Sequence, residues 1–509
     1  MTDRLPDRSA RSASRSGRRA FPLLALLGFA AGCLAGPKYA PETVIAPAQR
    51  VGAPRLSDSS RQFFDSLEIE RRRDSIRSIA SVTARQTIND RTIDATAWLD
   101  IIPDSNLVRL VDLALRQNRD LQVAVARMDE YRANLGVARA PRLPSVNVNG
   151  SESTNQVALG AFPATSYRAA RLTGDLAWEL DFWGRVRRGV EAASADYAAR
   201  EADRQAVALS LVSQVASGYL QLLELDQERT IAERTLSTRR ATLDIARQRF
   251  NQGLTSELDV RQFEAQVAAP AVTLAQAERA RAQNEHNLNV LLGQAPTSVS
   301  RGLSIVDAVK SLAIPDSLPA ALLARRPDVV EAERNYAAAV ARVGVADAAR
   351  WPTFNITGSY GYQAGSPTSF GSKNEIYQAL IGFSFPLFDN SRLANLSAAA
   401  RARAEQARAS YEGVALNALR EASDALTAVR TSRDQSVAQA TQAQALRQAL
   451  DLATVRYQAG LSTYLDLLDA QRSLFNAELA LSQAQLGELT SAVQLYKALG
   501  GSWTRPGTK

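Results

Sequence analysis

The chain has 509 residues, with 60 Lys and Arg against 52 Asp and Glu, and it holds one Cys and one His. A length prior of about 150 residues per domain suggests three domains. The lone Cys excludes an intrachain disulfide framework and, with the lone His, excludes zinc sites built from several of those ligands and Cys/His or Ser/His/Asp catalysis unless His286 serves it.

The net charge of +8 raises nucleic acid as a partner, but half of it sits in residues 1–20, where six arginines oppose Asp3 and Asp7. An apolar run from Phe21 to Ala31 follows and ends at Gly32-Cys33. A positive n-region, a short apolar core and small residues before a break read as a secretory signal over residues 1–32. The run falls well short of the roughly 20 residues a spanning helix needs. Cleavage removes half of the net charge, so no nucleic-acid partner is expected. Ala30-Ala31-Gly32-Cys33 resembles a bacterial lipobox, which makes Cys33 the expected lipidation site. Several acyl chains on one Cys, each contributing about 0.8 kcal/mol per buried methylene, make a firm anchor in lipid. Leu34 after the Cys, rather than Asp, favours the outer membrane. The alternative is an incidental Cys in a hydrophobic leader. The Arg18-Arg19 pair leaves the Sec and twin-arginine export routes both open.

Residues 34–57 are rich in Pro and Gly and read as an extended linker. Residues 58–92 are charged, include Arg71-Arg72-Arg73, and read as a loosely held, partly helical insertion. Together they form an N-terminal segment over residues 33–94. Regular structure begins near Trp98. Leu107, Leu110, Val111 and Ala114 then recur at helical spacing.

The chain is internally duplicated. Gly136 to Gly150 aligns with Gly344 to Gly358 at eight of 15 positions, where average composition predicts about one. Arg249-Phe-Asn-Gln-Gly-Leu-Thr-Ser-Glu-Leu-Asp-Val260 likewise matches Arg456-Tyr-Gln-Ala-Gly-Leu-Ser-Thr-Tyr-Leu-Asp-Leu467. Two repeats, residues 95–313 and 314–502, are followed by a tail at 503–509. Each repeat holds a strand pair and then a long helical stretch.

From Leu172 to Phe182, Leu172, Gly174, Leu176, Trp178, Leu180 and Phe182 alternate with Thr173, Asp175, Ala177, Glu179 and Asp181. Phe354, Ile356, Gly358, Tyr360 and Tyr362 alternate with polar or small residues in the second repeat. One apolar and one polar face match a barrel with lipid outside and water inside. A half-buried strand in a soluble sandwich alternates in the same way. Gly-, Pro- and Ser-rich loops near 155–168 and 363–374 separate the pairs. After the strands, Gly184 to Gly253 and Leu387 to Thr504 lack Pro and are rich in helix formers. A run of about 68 helical residues spans roughly 100 Å, longer than a soluble core needs. Gly253 and Gly460 mark the expected hairpin tips, and Pro270 predicts a kink in the first return helix. Four strands cannot close a barrel. Eight leave an interior filled by side chains, and twelve from three chains leave room for a lumen.

The motifs resemble those of the outer membrane factors of tripartite efflux pumps, the TolC-like family, and of its NodT-type lipoprotein branch. The resemblance is carried by Cys33 with Gly36-Pro37-Lys38-Tyr39, Trp178-Glu-Leu-Asp-Phe-Trp-Gly-Arg185, Leu318-Pro319, and Leu322-Leu323-Ala-Arg-Arg-Pro-Asp328. Arg350-Trp-Pro-Thr-Phe354 and Tyr457 through Arg472 complete it. It implies a mainly α fold with a membrane β-barrel. A homotrimer would form a 12-stranded β-barrel continued by a 12-helix periplasmic α-barrel. It implies no enzymatic activity, cofactor or metal. The implied role is a passive exit duct for small molecules, joined by a periplasmic adaptor to an inner-membrane pump of the resistance-nodulation-division class. The adaptor contact falls at the tips Gly253, Leu254, Thr255 and Gly460, Leu461, Ser462.

Asp466 and Asp469 lie one helical turn apart. The resemblance places them, with Tyr457, at the periplasmic gate, as two stacked acid rings that attract cations. The alternative is a solvated face with Asp469 paired to Arg472. The first repeat carries Asp259 but Gln262 opposite Asp469, and the family often has a basic residue where Ser462 stands. Asp175, Glu179 and Asp181 are expected to face the lumen, or equally to be solvated strand residues. Two further readings of the whole chain are a type I secretion duct and an exported, non-membrane coiled-coil protein.

Overall fold

The computed structural model describes residues 36–39, 102–157, 164–312, 325–372 and 374–501. The signal, Cys33, the insertion at 58–92, the Leu318-Pro319 and Leu322-Leu323 positions and the tail lie outside the described residues. The chain divides into two compact units.

The first unit holds Pro141–Arg188 and Gly344–Leu396. Strands β1 (Ser145–Val157), β2 (Thr165–Leu180), β3 (Thr353–Ala364) and β4 (Asn374–Ser384) form one antiparallel sheet in the order β1-β2-β3-β4. The pairing of β2 with β3 joins the two repeats, with Asp175 opposite Ser359 and Trp178 opposite Ile356. β1 and β4 are left as the edges. The strands run further than the apolar alternation suggests. β1 and β2 stay paired out to Val157 and Thr165, because the backbone ladder of a hairpin forms whatever the side-chain polarity. The first expected loop therefore contracts, while the second carries a short 3₁₀ turn at Pro367–Ser372.

The second unit holds the helices. They are α1 (Ser105–Gln117), α2 (Arg119–Arg139), α3 (Arg185–Asn251), α4 (Glu257–Leu291), α5 (Ile305–Ser311), α6 (Pro327–Ala348), α7 (Arg392–Gln458) and α8 (Tyr464–Ala498). The duplication is written in their lengths: α3 and α7 each have 67 residues, and α4 and α8 each have 35. α4 runs unbroken from Glu257 to Leu291 through a buried Pro270. α7 buries a series of small residues, among them Ala400, Ala404, Ala415, Ala418 and Ala422, which lets neighbouring helices approach closely.

The core of this unit gathers α1, α3, α4, α5 and α8 around fully buried Tyr219, Leu220, Leu288 and Tyr496. A buried polar knot fixes it. The Tyr219 hydroxyl donates to Asp104 Oδ2 at 2.6 Å and accepts the Gly302 amide at 2.8 Å. Asp104 Oδ1 in turn accepts the Asn106 amide at 2.8 Å and so caps α1. Every buried polar group of the knot is thereby paired, which burial requires.

Candidate functional site

Residues paired across an antiparallel sheet share a face, so the ladder sorts the side chains. One row reads Val148, Gly174, Tyr360, Tyr377, and the adjacent row reads Asn147, Asp175, Ser359, Gln378. The first face also carries Val146, Leu176, Trp178, Ile356, Ile381 and Phe383. From the helix end to Leu172 it is apolar and open, with Val148 75%, Tyr377 82% and Ile381 74% exposed, while Glu152, Arg168 and Glu375 lie on it at the far end. The second face is mostly polar, with Ala169, Ala177, Ile376 and Leu380 as apolar positions. A soluble sandwich would bury its apolar face against a second sheet.

The three acids expected to face a lumen have different surroundings. Asp175 lies mid-sheet on the polar face and accepts from Asn149 Nδ2 at 2.6 Å and Thr173 Oγ1 at 3.1 Å. Glu179 lies near the end of β2 and pairs with Arg185, whose Nε is 2.8 Å away. Asp181 falls beyond the strand, which ends at Leu180. Its carboxylate accepts the Val186 and Arg187 amides at 3.0 and 2.8 Å, so it caps α3 instead of sitting on the strand's polar face. The open N–H groups of a 67-residue helix make that the favoured place for a nearby acid.

The two hairpin tips are built alike. Gly253 and Gly460 have φ of 73° and 72°, a left-handed conformation that glycine adopts without strain. The next amides close the helix ends, Leu254 to the Arg249 carbonyl at 2.9 Å and Leu461 to the Arg456 carbonyl at 2.8 Å. Ser256 and Thr463 then cap the return helices. Asp259 Oδ2 accepts from the Ser256 amide at 3.1 Å and from the Thr255 hydroxyl at 2.7 Å. These bonds hold its carboxyl below the usual range. Asp466 Oδ2 accepts from the Thr463 amide at 3.0 Å and its hydroxyl at 2.9 Å. The repeated Gly-Leu and Leu-Asp positions thus have a local explanation in both repeats. The tips differ at Ser462, whose hydroxyl is buried with no partner where Thr255 donates to Asp259. Leu254 and Leu461 are exposed at the tips, as are Leu258 and Leu465 one turn on.

Asp469 pairs with Arg472 at 2.8 Å across an exposed helix surface. Within one chain the two acids at 466 and 469 are therefore engaged differently, one as a helix cap and one in an ion pair. The Arg249 guanidinium lies 5.5 Å from the centre of the Tyr457 ring. Tyr464 packs against Phe263 with the rings tilted by 43° and their centres 3.9 Å apart. Its buried hydroxyl has no partner, and burial together with Asp259 pushes its pKa up to about 12.

Several informative residues escaped the sequence reading. Arg326, inside the Arg-Arg-Pro-Asp stretch, is buried and donates to the Ala498 carbonyl at 3.0 Å and to Asp328 and Glu421 at 2.7 Å each. Arg239 is buried beside the Phe475 ring and donates to the Gln266 carbonyl at 2.8 Å. Burial pushes its pKa down. Glu224 is buried on α3, and burial followed by the charge of Glu228 pushes its carboxyl up to about 7. Local spacing does not signal their burial, and Arg326 reaches Glu421 and Ala498 across 95 and 172 residues.

A sheet with one uncovered apolar face, joined in each repeat to a helical hairpin about 100 Å long, defines a channel-forming outer membrane protein. The family model described as outer membrane efflux protein matches residues 110–294 and 318–501, and the chain belongs to that family. It is 36% identical over 416 residues to a probable efflux pump outer membrane protein, TtgC, of Pseudomonas putida, covering 80% of this chain and 85% of the relative. It is 33% identical over 430 residues to outer membrane protein OprJ of Pseudomonas aeruginosa, covering 81% and 87%. The solved outer-membrane channel OprN superposes with a TM-score of 0.77 at 28% identity, covering 92% of this chain and all of OprN.

Proposed function

We infer that the chain is the outer membrane channel of a tripartite efflux system, a passive exit duct for small molecules. An inner-membrane pump of the resistance-nodulation-division class drives it through a periplasmic adaptor. It acts as a channel, not as an enzyme. The observation that carries this reading is the uncovered apolar face of an open sheet. Leu172 to Leu180 is eight residue steps, about 26 Å of strand. With a tilt of 35–45° this covers most of an apolar band about 25 Å tall. The free edges β1 and β4 invite pairing with copies of themselves. Three chains then close twelve strands, enough for a water-filled lumen, with Asp175 inside it. The long helices of the three chains would extend the duct as a 12-helix tunnel.

In this reading Cys33 carries the lipid anchor in the outer membrane. The exposed leucines of the tips Gly253-Leu254-Thr255 and Gly460-Leu461-Ser462 meet the adaptor. Asp466, Asp469 and Tyr457 line the periplasmic gate. The Asp466 cap fixes its carboxylate close to the tip, and three copies around an axis form a ring of charge that a cation would occupy.

The test is reconstitution. The purified mature chain should be detergent-dependent, have the mass of a trimer by light scattering, and give discrete conductance steps in planar bilayers. A water-soluble monomer without conductance would overturn the reading.

A further inference from the structure

The four places where strand meets helix lie at one end of the sheet, since β1 and β3 are entered from α2 and α6 while β2 and β4 lead into α3 and α7. This end has a composition of its own. Leu143, Trp351, Phe385, Leu387 and Phe388 are exposed there, Leu387 to 86% and Phe388 to 88%. Such exposure needs a covering partner. Beside them stand three arginines, Arg142, Arg350 and Arg392, all exposed.

The acids of this end are already used. Glu179 holds Arg185, Asp181 caps α3 and holds Arg187, and Asp389 Oδ2 accepts the Leu393 amide at 2.8 Å. Arg142, Arg350 and Arg392, by contrast, form no ion pair among the described residues. Arg392 opens α7 as Arg185 opens α3, but Pro386 stands where the first repeat has Glu179, so the carboxylate partner is missing. The duplication keeps the pattern at the other two joints. Arg142-Leu143-Pro144 and Arg350-Trp351-Pro352 are equivalent segments, each a cation followed by a large apolar residue and a proline.

We propose that this rim is a binding surface for the anionic headgroups of glycerophospholipids in the membrane leaflet at the helix end of the sheet. Leu143, Trp351, Phe385, Leu387 and Phe388 sit at the boundary of the acyl region, continuous with the apolar sheet face. The three guanidiniums reach the phosphate layer just beyond it. Large apolar and aromatic side chains set the depth, and an arginine fork matches the phosphate oxygens geometrically. The surface selects lipids of net negative charge, because each cation near an anionic lipid surface raises association by about fivefold. In a trimer the rim would carry nine such cations. This inference rests on the reading of the sheet as a membrane barrel.

The test uses the full mature chain in vesicles with spin-labelled phosphatidylglycerol or phosphatidylcholine, and compares the lipid fraction immobilised at the protein by electron paramagnetic resonance. The expected result is an association constant about two- to fivefold larger for phosphatidylglycerol. It should fall in about 1 M salt, where the Debye length shrinks to roughly 3 Å. R142Q/R350Q/R392Q should abolish the preference, and R142K/R350K/R392K should keep most of it. Equal association of the two lipids with the wild-type chain overturns the proposal, and so does an undiminished preference in the glutamine variant. The salt dependence of the wild-type chain decides the matter if that variant fails to fold. Immobilisation of neither lipid would instead overturn the membrane-barrel reading itself.

Discussion

Arg326→Met deletes a guanidinium that is 6% exposed and tied to three parts of the helical unit. It donates to the Ala498 carbonyl at the end of α8 at 3.0 Å, to Asp328 at 3.1 and 2.7 Å, and to Glu421 of α7 at 2.7 Å. Methionine fills much of the space of the arginine stem, so the loss is mainly electrostatic. Removing one member of a buried ion pair costs about 3–5 kcal/mol. Asp328 and Glu421 both reach solvent, so the lower end applies, about 3 kcal/mol per chain. For a chain of this size, whose unfolding entropy is about 1 kcal/mol per kelvin, that lowers the unfolding midpoint by about 3 °C.

The pH dependence supplies a second readout. Burial alone would raise the Asp328 carboxyl, but Arg326 overrides it and holds the group below its ordinary value. A depressed carboxyl stabilises the fold above its unfolded pKa, and that contribution is lost as pH falls through the folded value. Without Arg326, burial is opposed only by backbone amides, the Val329 N–H at 2.9 Å among them, and the carboxyl moves up from its depressed value. The variant's deficit should therefore be full at pH 7.5 and shrink only as pH falls below about 4, through the depressed native value, and Arg326→Met with Asp328→Asn should recover part of it. Far-UV circular dichroism melts of the detergent-solubilised chain measure both effects. A deficit below about 1 °C, or one that grows on acidification, would refute the reasoning.

Glu224→Gln should raise the unfolding midpoint at pH 8 and leave it unchanged at pH 5. With a folded value of about 7, the native chain keeps a proton that the unfolded chain has released, so stability falls as pH rises through that window, by about 1.4 kcal/mol per pH unit at most. Equal midpoint shifts at both pH values would count against a protonated buried carboxyl. Asp466→Asn with Asp469→Asn should remove cation block of single-channel current while Asp259→Asn leaves it intact, since Asn keeps an acceptor for the cap but not the charge. Identical block in the two variants would sink the gate reading. Asp466→Ala and Asp259→Ala should cost similar stability, about 1 kcal/mol each, measurable as matched shifts in thermal unfolding. Leu254→Asp with Leu461→Asp should prevent co-purification with the adaptor and preserve channel conductance. Retained adaptor binding would place the contact elsewhere.

Much of the architecture was legible because it rests on local rules. Proline-free runs set the long helices, and a glycine that must take positive φ marks each tip. The repeated residues at 253–259 and 460–466 are the ones a helix stop and restart requires. Period-two alternation revealed the face of β2 that carries Leu172 to Leu180. The pairing of Asp469 with Arg472, three residues apart, was also legible as an alternative, because such a pair follows from helix geometry.

What the sequence hid depends on groups that meet only after folding. Arg326 finds its partners 95 and 172 residues away, and Tyr219 finds Asp104 115 residues away. Alternation alone put Asp181 on a strand face, but the open amides of α3 claim its carboxylate. It likewise said nothing of β1 beyond Gly150, whose side chains are polar on both faces and whose pairing comes from the backbone. The amino-acid sequence by itself determined the duplication, the long helices, the tips and the alternating faces, since each follows from contacts within a few residues. Only the tertiary structure decided which charges are spent on caps and ion pairs and which remain free at the sheet's rim. That division depends on distances between residues that the order of the chain does not set.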